Sequence, residues 1–268
     1  MKKVFIQGLG FVGSAMVTAV AASKDNEGNP TYSVVGVDLD NEIGKSRVSS
    51  INKGLFPLPS SDQKLVKTLL NCHKQGNVEA TTSQNRFNEA DIIVVDIPLD
   101  IPYLEDKPIL KFDKFEEAIR LLGSQVKKNT LIIIETTVPP GTCEKIVIPA
   151  LEDELHIRNM EISDIHIAHS YERVMPGKDY LASITDFWRV FAGYTKESGD
   201  ECEDFLNNVI NTEEFPLTRL SSMTASESSK VMENSYRATN IAFIDEWTKY
   251  AEEIGIDLFE VIDAIKKR

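Results

Sequence analysis

Short runs of consecutive apolar, mostly β-branched residues constrain this chain more than any other feature of its sequence. Ile92–Val95 and Leu131–Ile134 contain no polar residue at alternate positions, so both faces of each strand have to be buried. Strands of this kind occur in parallel sheets that helices cover on both sides. The chain alternates such strands with mixed helical segments, which predicts a doubly wound α/β domain.

The alternation defines the predicted elements of the first two thirds of the chain. Strands are predicted at Lys3–Gln7, Ser33–Asp38, Asn77–Thr82, Asp91–Ile97, Thr130–Thr136, Ile165–His169 and Trp188–Ala192. Helices are predicted between them at Val12–Ser23, Glu42–Lys53, Asp62–His73, Lys114–Gln125, Cys143–Glu154 and Glu197–Val209.

The C-terminal part has a different pattern. Residues 217–254 contain no Gly or Pro, and apolar side chains recur there at helical spacing, which predicts one long helix ended by Gly255. A further helix is predicted at Leu258–Lys267. We therefore expect two domains, an α/β domain over residues 1–211 and a helical domain over residues 212–268.

A Gly-x-Gly-x-x-Gly motif lies between the first predicted strand and the first predicted helix. In this context Gly8 makes the tight turn, Gly10 lets a pyrophosphate approach the backbone, and Gly13 allows the helix to pack closely on the strand. The helix N-terminus offers unpaired N–H groups and a positive dipole end to the phosphates. Phe11 and Val12 belong to the same turn and are candidate cofactor contacts.

The second predicted strand ends at Asp38, the position where a carboxylate holds a ribose 2′-hydroxyl in dinucleotide-binding folds. A carboxylate there repels a 2′-phosphate, so NAD is favoured over NADP. The alternative is a glycine turn in an α/β fold that binds no nucleotide, with Asp38 only ending a strand.

The charge balance of the whole chain excludes several classes of partner. Its 268 residues include 29 Lys and Arg against 42 Asp and Glu, a formal net charge of −13. Nucleic acids and anionic membranes require a basic surface, so neither is an expected partner. The apolar runs are too short for a transmembrane helix. Three cysteines without a Cys-x-x-Cys pair argue against a metal centre and fit a reducing cytoplasm.

Polar side chains after predicted strands or along the long helix are the candidate catalytic residues. Thr137 follows the strand ending at Thr136, and Glu172, in a loop after another strand, is a candidate general base. Arg173 beside it can neutralise a pyrophosphate. Lys230 and Asn234, one helical turn apart, can point at one oxygen and stabilise a developing alkoxide. The structural alternatives are an ordinary strand-to-helix turn and a solvated helix face.

Several motifs occur together in a fixed order along essentially the whole chain. They are Gly8–Gly13, a strand ending at Asp38, Ile51–Gly54, Asp91–Pro98, Thr136–Thr142, Ser170–Gly177 and Lys230–Arg237. With this combination the sequence resembles the UDP-glucose/GDP-mannose dehydrogenase family, whose members oxidise nucleotide sugars at C6 with NAD. The form of residues 172–177 is similar to the branch that acts on UDP-N-acetylhexosamines. The resemblance implies a Rossmann-type doubly wound, mainly parallel sheet followed by an all-α segment with a long central helix.

The resemblance also implies roles for the candidate residues. Thr137 would position a catalytic water, and Glu172 would act as acid and base in thioester hydrolysis. Lys230 and Asn234 would hold the C6 oxygen and its developing negative charge. Together with Glu172 and Arg173 they would bind a UDP-N-acetylhexosamine or UDP-hexose. The product, a uronic acid, would serve polysaccharide precursor synthesis, and the long helix would form a homodimer.

One feature of the family has no counterpart in this sequence. The family's second oxidation uses a nucleophilic cysteine in a glycine-rich loop, and none of Cys72, Cys143 and Cys202 lies in such a loop. Family members also continue into a nucleotide-binding second α/β domain. We therefore expect an incomplete enzyme that binds NAD without completing both oxidations. A β-hydroxyacid dehydrogenase and a non-catalytic NAD-binding or dimerisation module are the alternatives.

Overall fold

The computed structural model describes residues 1–99, 102–105 and 107–267. Within these ranges the strands are β1 (Lys2–Gln7), β2 (Tyr32–Val37), β3 (Val78–Thr81), β4 (Ile92–Val95), β5 (Tyr103–Leu104), β6 (Lys107–Pro108), β7 (Leu131–Ile134), β8 (His166–Tyr171), β9 (Val190–Gly193) and β10 (Thr218–Arg219). The α-helices there are α1 (Phe11–Ala22), α2 (Glu42–Ile51), α3 (Gln63–Gln75), α4 (Asp113–Gly123), α5 (Ile148–Ile157), α6 (Ala182–Thr185), α7 (Lys196–Val209), α8 (Met223–Ile254) and α9 (Leu258–Ile265). Shorter helical turns cover Gln84–Glu89, Cys143–Val147 and Ile162–Asp164.

The apolar runs form the centre of the main sheet. Across the described residues this sheet has eight strands in the order β10-β9-β8-β7-β4-β1-β2-β3. Every neighbouring pair is parallel except β8 and β9, which are antiparallel. The chain order reverses beside β1, which creates a crevice at the carboxyl ends of the strands. The predicted doubly wound, mainly parallel sheet is confirmed.

Two buried apolar clusters lie on opposite faces of this sheet. Val4 and Ile6 point into the cluster that includes residues of α1, α3 and α7, whereas Phe5 points into the cluster that includes residues of α4 and α5. All four residues of both β4 and β7 are buried. Burial on both faces explains why these strands have no polar position.

The predicted start of the long helix was wrong. Thr218 and Arg219 form the edge strand β10 instead, in register with Val190 and Phe191 of β9. The Thr218 N–H donates to the Arg189 carbonyl at 2.9 Å. Pairing with β9 therefore gives the backbone of Thr218 and Arg219 its hydrogen-bond partners. The absence of Gly and Pro does not distinguish this strand from a helix, and α8 begins only at Met223.

The chain divides into two compact units, Met1–Glu227 and the residues from Ser228 onward. In the second unit α8 ends before Gly255, which has a φ of 73°. The Asp257 carboxylate caps α9 by accepting the Phe259 N–H at 2.8 Å. None of the helices in the described part of the chain has the length and apolar composition needed to cross a membrane. The domain division at residue 212 stays a prediction.

Candidate functional site

The glycine turn after β1 has the geometry that its three glycines predict. Gly8 has a φ of 99°, and a Cβ there would lie 2.6 Å from the Asp96 carbonyl oxygen. A Cβ on Gly13 would lie 1.8 Å from the Gly8 oxygen. At Gly10, by contrast, no described atom outside the turn lies within 4 Å of the Cβ position. Gly8 and Gly13 are thus required by packing, while Gly10 leaves open space at the N-terminus of α1, which fits a pyrophosphate.

The two other residues of the turn differ in their surroundings. Phe11 is exposed, and its carbonyl accepts a hydrogen bond from the Tyr180 hydroxyl at 2.5 Å. Val12 is partly buried against the first apolar cluster. Tyr180 was not among the predicted site residues, because it lies in a loop far along the chain. The contact anchors the 180 loop to the turn.

Asp38 lies directly after β2, at the same edge of the sheet. Its Oδ1 accepts the Leu39 N–H at 2.8 Å, and its Oδ2 lies 3.2 Å from Arg47 Nη1. Arg47 is on α2 and was not among the predicted site residues. The Asp38 carboxylate is therefore already oriented, although its contact with a ribose stays a prediction.

A group of charged residues, most of them buried, lies beside the glycine turn. Asp96 follows β4, Glu135 follows β7, and the side chain of Arg189, just before β9, forms a buried ion pair with Glu135. Burial raises the pKa of Asp96 well above its ordinary value, and the Glu135 and Glu172 carboxylates add to this effect. The signal available in the sequence was an acidic residue directly after each fully apolar strand.

The threonine pair after β7 divides between the interior and the surface. Thr136 is buried, and its hydroxyl lies 2.7 Å from the Ile97 carbonyl, to which it donates. Thr137 is exposed at the carboxyl edge of the sheet. Thr136 therefore fixes the strand end, and Thr137 faces the side where a ligand of an open α/β sheet binds.

The turn that follows is held by a residue from α8. The fully buried Glu227 carboxylate accepts the backbone N–H groups of Gly141 and Cys143, the latter at 2.7 Å. The Thr142 hydroxyl donates to the Pro139 carbonyl at 2.6 Å within the same turn. Glu227 therefore does not belong to a solvated helix face.

Glu172 and Arg173 follow β8 at the same edge of the sheet. Glu172 is half-buried, and its carboxylate accepts the Val174 N–H. Arg173 Nη1 donates to the Trp188 carbonyl at 2.8 Å, and its guanidinium lies 5.5 Å from the centre of the Phe187 ring. Asp38, Thr137, Glu172 and Arg173 thus all follow strands at one edge.

Lys230 and Asn234 belong to the second unit. They lie one turn apart on α8, as predicted from their spacing. Further along α8, the rings of Phe243 and Trp247 are 4.8 Å apart. The catalytic and substrate-binding roles of Thr137 and the other site residues stay predictions.

The three cysteine thiols are poor nucleophiles. Cys72, Cys143 and Cys202 are buried, and burial raises the pKa of each thiol. Among the described residues, no group of three or more His, Cys, Asp and Glu side chains is placed to hold a metal ion.

The fold and the glycine turn together define a Rossmann-type dinucleotide-binding protein. The profile described as the UDP-glucose/GDP-mannose dehydrogenase family, NAD binding domain, matches residues 2–208, and the central domain profile of the same family matches residues 224–268. The chain belongs to this family. The resemblance of the sequence and the choice of NAD as cofactor are confirmed.

Individual relatives agree with this family. The UDP-N-acetyl-D-mannosamine dehydrogenase of Pyrococcus horikoshii is 28% identical, with 97% of this chain and 56% of the relative covered. The enzyme of the same description from Methanococcus maripaludis is 30% identical, over 100% of this chain and 55% of the relative. The crystal structure of NDP-N-acetyl-D-galactosaminuronic acid dehydrogenase from Methanosarcina mazei superposes with a TM-score of 0.79 at 26% identity, over 99% of this chain and 53% of that one. The chain spans about half the length of the curated relatives it matches.

Proposed function

We propose that this chain provides the NAD-binding and central parts of a dehydrogenase that oxidises C6 of a UDP-N-acetylhexosamine or a UDP-hexose to the uronic acid. The observation that carries this proposal is the arrangement at one sheet edge. The open turn at Gly10 lies there, as do Thr137 and Glu172 at the ends of neighbouring strands. The same relatives, described as nucleotide-sugar dehydrogenases, support the choice of substrate.

The proposed chemistry assigns one task to each candidate residue. Bound NAD supplies the hydride acceptor. Lys230 and Asn234 hold the C6 oxygen and stabilise negative charge that develops on it as the hydroxyl proton leaves. Thr137 positions the water that enters at C6, and Glu172 takes a proton from that water. Arg173 assists binding of the negatively charged nucleotide sugar.

The second oxidation requires a covalent thiol intermediate in the proposed reaction. Because all three thiols of this sequence are buried with raised pKa values, none is suited to attack an aldehyde. This chain alone would therefore stop at the aldehyde. We further propose a cytoplasmic role in polysaccharide precursor synthesis.

A homodimer is the proposed assembly. In the second unit, the large apolar side chains of Met232, Tyr236, Phe243, Tyr250 and Phe259 are all exposed. Exposed aromatic residues on this scale are typical of a surface that another chain covers. Sedimentation of the chain should therefore give twice the monomer mass, and a monomer at high concentration would contradict the assignment.

The test of function uses the chain with NAD and UDP-N-acetylmannosamine. We expect NADH to form and a carbonyl reagent to trap the aldehyde, without accumulation of the uronic acid. Lys230→Ala should abolish NADH formation and leave NAD affinity unchanged. The control Lys249→Ala, at an exposed ion pair of the same helix, should retain both NADH formation and NAD affinity. Turnover of 3-hydroxyacids in place of UDP-sugars would favour a β-hydroxyacid dehydrogenase. NAD binding without oxidation of any UDP-sugar would favour a non-catalytic module.

A further inference from the structure

Two carboxyl groups beside the glycine turn each have one oxygen without a hydrogen bond to any described residue. Among the described residues, Asp96 Oδ2 and Glu135 Oε2 are buried and have no hydrogen-bond partner. Asp96 is partly exposed as a residue, so the burial is specific to this oxygen. A buried carboxylate oxygen without a partner is costly. The two carboxyl groups are within hydrogen-bonding reach of each other, so one proton between them would satisfy both.

The charges around Asp96 also favour a bound proton. The ion pair between Glu135 and Arg189 accounts for one negative and one positive charge. The Arg189 charge, which also acts on Asp96, is already paired with Glu135, and the Glu172 carboxylate adds a repulsive charge from the end of β8. The charges of Arg189 and Glu135 also act on the buried Cys202 thiol of α7. Ionised Asp96 would therefore leave an excess negative charge in a buried position.

Asp96 touches the turn that receives the cofactor phosphates. The ideal Cβ position on Gly13 lies 3.3 Å from the Asp96 Cβ, and the position on Gly8 lies 2.6 Å from the Asp96 carbonyl oxygen. The Asp96 N–H donates to the Gln7 carbonyl at the end of β1, at 2.8 Å.

We propose that Asp96 and Glu135 share one proton. This proton removes an excess negative charge from the carboxyl groups beside the glycine turn. Asp96 is thereby a positioning residue for the cofactor pyrophosphate. The inference concerns NAD binding and is independent of the proposed oxidation of a sugar. Asp96 donates this hydrogen bond and Glu135 accepts it, because the ion pair with Arg189 favours the ionised form of Glu135 over that of Asp96.

The direction of the pH effect follows from the pKa of Asp96. Because burial and the neighbouring carboxylates raise that pKa, Asp96 is neutral below it and ionises as the pH rises through it. The new negative charge repels the pyrophosphate, so NAD affinity falls. Linkage requires that bound NAD raise the pKa of Asp96 in return, by about one unit for each tenfold loss of affinity.

The experiment measures the protonation of Asp96 and the affinity for NAD separately on the 268-residue chain. Infrared spectroscopy detects the carbonyl stretch of a protonated buried carboxyl group, and calorimetric titration gives NAD affinity between about pH 6 and about pH 9. The variant Asp96→Asn keeps a donor to Glu135 but has no proton to lose. The control Asp91→Asn removes a carboxylate at the opposite end of β4, where it pairs with Lys127.

The expected result is a carbonyl band in the wild type and in Asp91→Asn that Asp96→Asn lacks. NAD affinity should fall on the order of tenfold in step with the loss of that band, and should stay constant in Asp96→Asn. Absence of the band at the lowest pH would overturn the shared proton. A change in affinity that does not follow the band, or an Asp96→Asn profile that matches the wild type, would overturn the link to the cofactor.

Discussion

Replacing Glu227 tests whether one buried carboxylate holds the turn between β7 and α5. Its two oxygens accept N–H groups of Gly141 and Cys143, and the side chain has no exposed area. Glu227→Ala removes both acceptors and leaves two buried donors. It also removes a negative charge from the start of a helical segment, where the helix dipole favours one.

The magnitude follows from the two hydrogen bonds. Leaving a buried donor unsatisfied costs about 1–3 kcal/mol, so Glu227→Ala should lower the free energy of unfolding by roughly 2–5 kcal/mol. For a chain of this size, that corresponds to a fall in melting temperature of about 5–15 °C. Glu227→Gln keeps one acceptor and turns an amide donor towards the other N–H. It should therefore lie between the wild type and Glu227→Ala.

The assay is thermal unfolding followed by circular dichroism, with Glu252→Ala as the matched control. Glu252 is an exposed glutamate of the same helix, so its removal should leave the melting temperature nearly unchanged. If Glu227→Ala melted together with Glu252→Ala, the two hydrogen bonds would contribute nothing to stability, and the argument from burial would be refuted.

Three further predictions follow from the glycine turn, a surface carboxylate and the thiols. Gly13→Ala should prevent folding of the turn because its Cβ meets the Gly8 oxygen, whereas Gly10→Ala should fold and weaken NAD binding at least about tenfold, as measured by calorimetry. Hydrogen bonds from Arg86 and a lysine lower the pKa of Glu89 to about 2. The stabilisation is present above the ordinary value of 4.5 and is lost as the pH falls towards 2. When the pH is lowered from about 6 to about 3, the free energy of unfolding measured by urea titration should therefore fall less in Glu89→Gln than in the wild type. Iodoacetamide should label the chain only after unfolding, at Cys72, Cys143 and Cys202.

The sequence was sufficient to predict the central strands, because burial on both faces leaves an apolar residue at every position. An uninterrupted apolar run such as Ile92–Val95 has one stable place in a domain of this kind, the middle of a covered parallel sheet. The edge was less predictable. Thr218–Arg219 forms a strand only because β9 offers unpaired backbone groups beside it, and local propensity does not contain that information.

The candidate site shows the same limit. The glycine turn was predictable because strand, turn and helix are contiguous in sequence. The group of Asp96, Glu135 and Arg189 was not, because its members come together only through the sheet order β9-β8-β7-β4. Glu227 lies three residues before Lys230 on α8, yet its carboxylate binds backbone groups of a distant turn. Pairings between distant segments require the topology first.

An acidic chain that binds an anionic dinucleotide has to neutralise the carboxylates around the binding turn. Asp38 lies beside Arg47 at 3.2 Å, and Glu135 is paired with Arg189. Asp96 is also acted on by Arg189, which Glu135 already pairs, so the proposed proton is the partner that neutralises Asp96. The field at the turn then comes mainly from the N-terminus of α1, which favours phosphate. The net charge of −13 is unfavourable for polyanions that need a broad basic surface, while a single pyrophosphate responds to the local balance of these few groups.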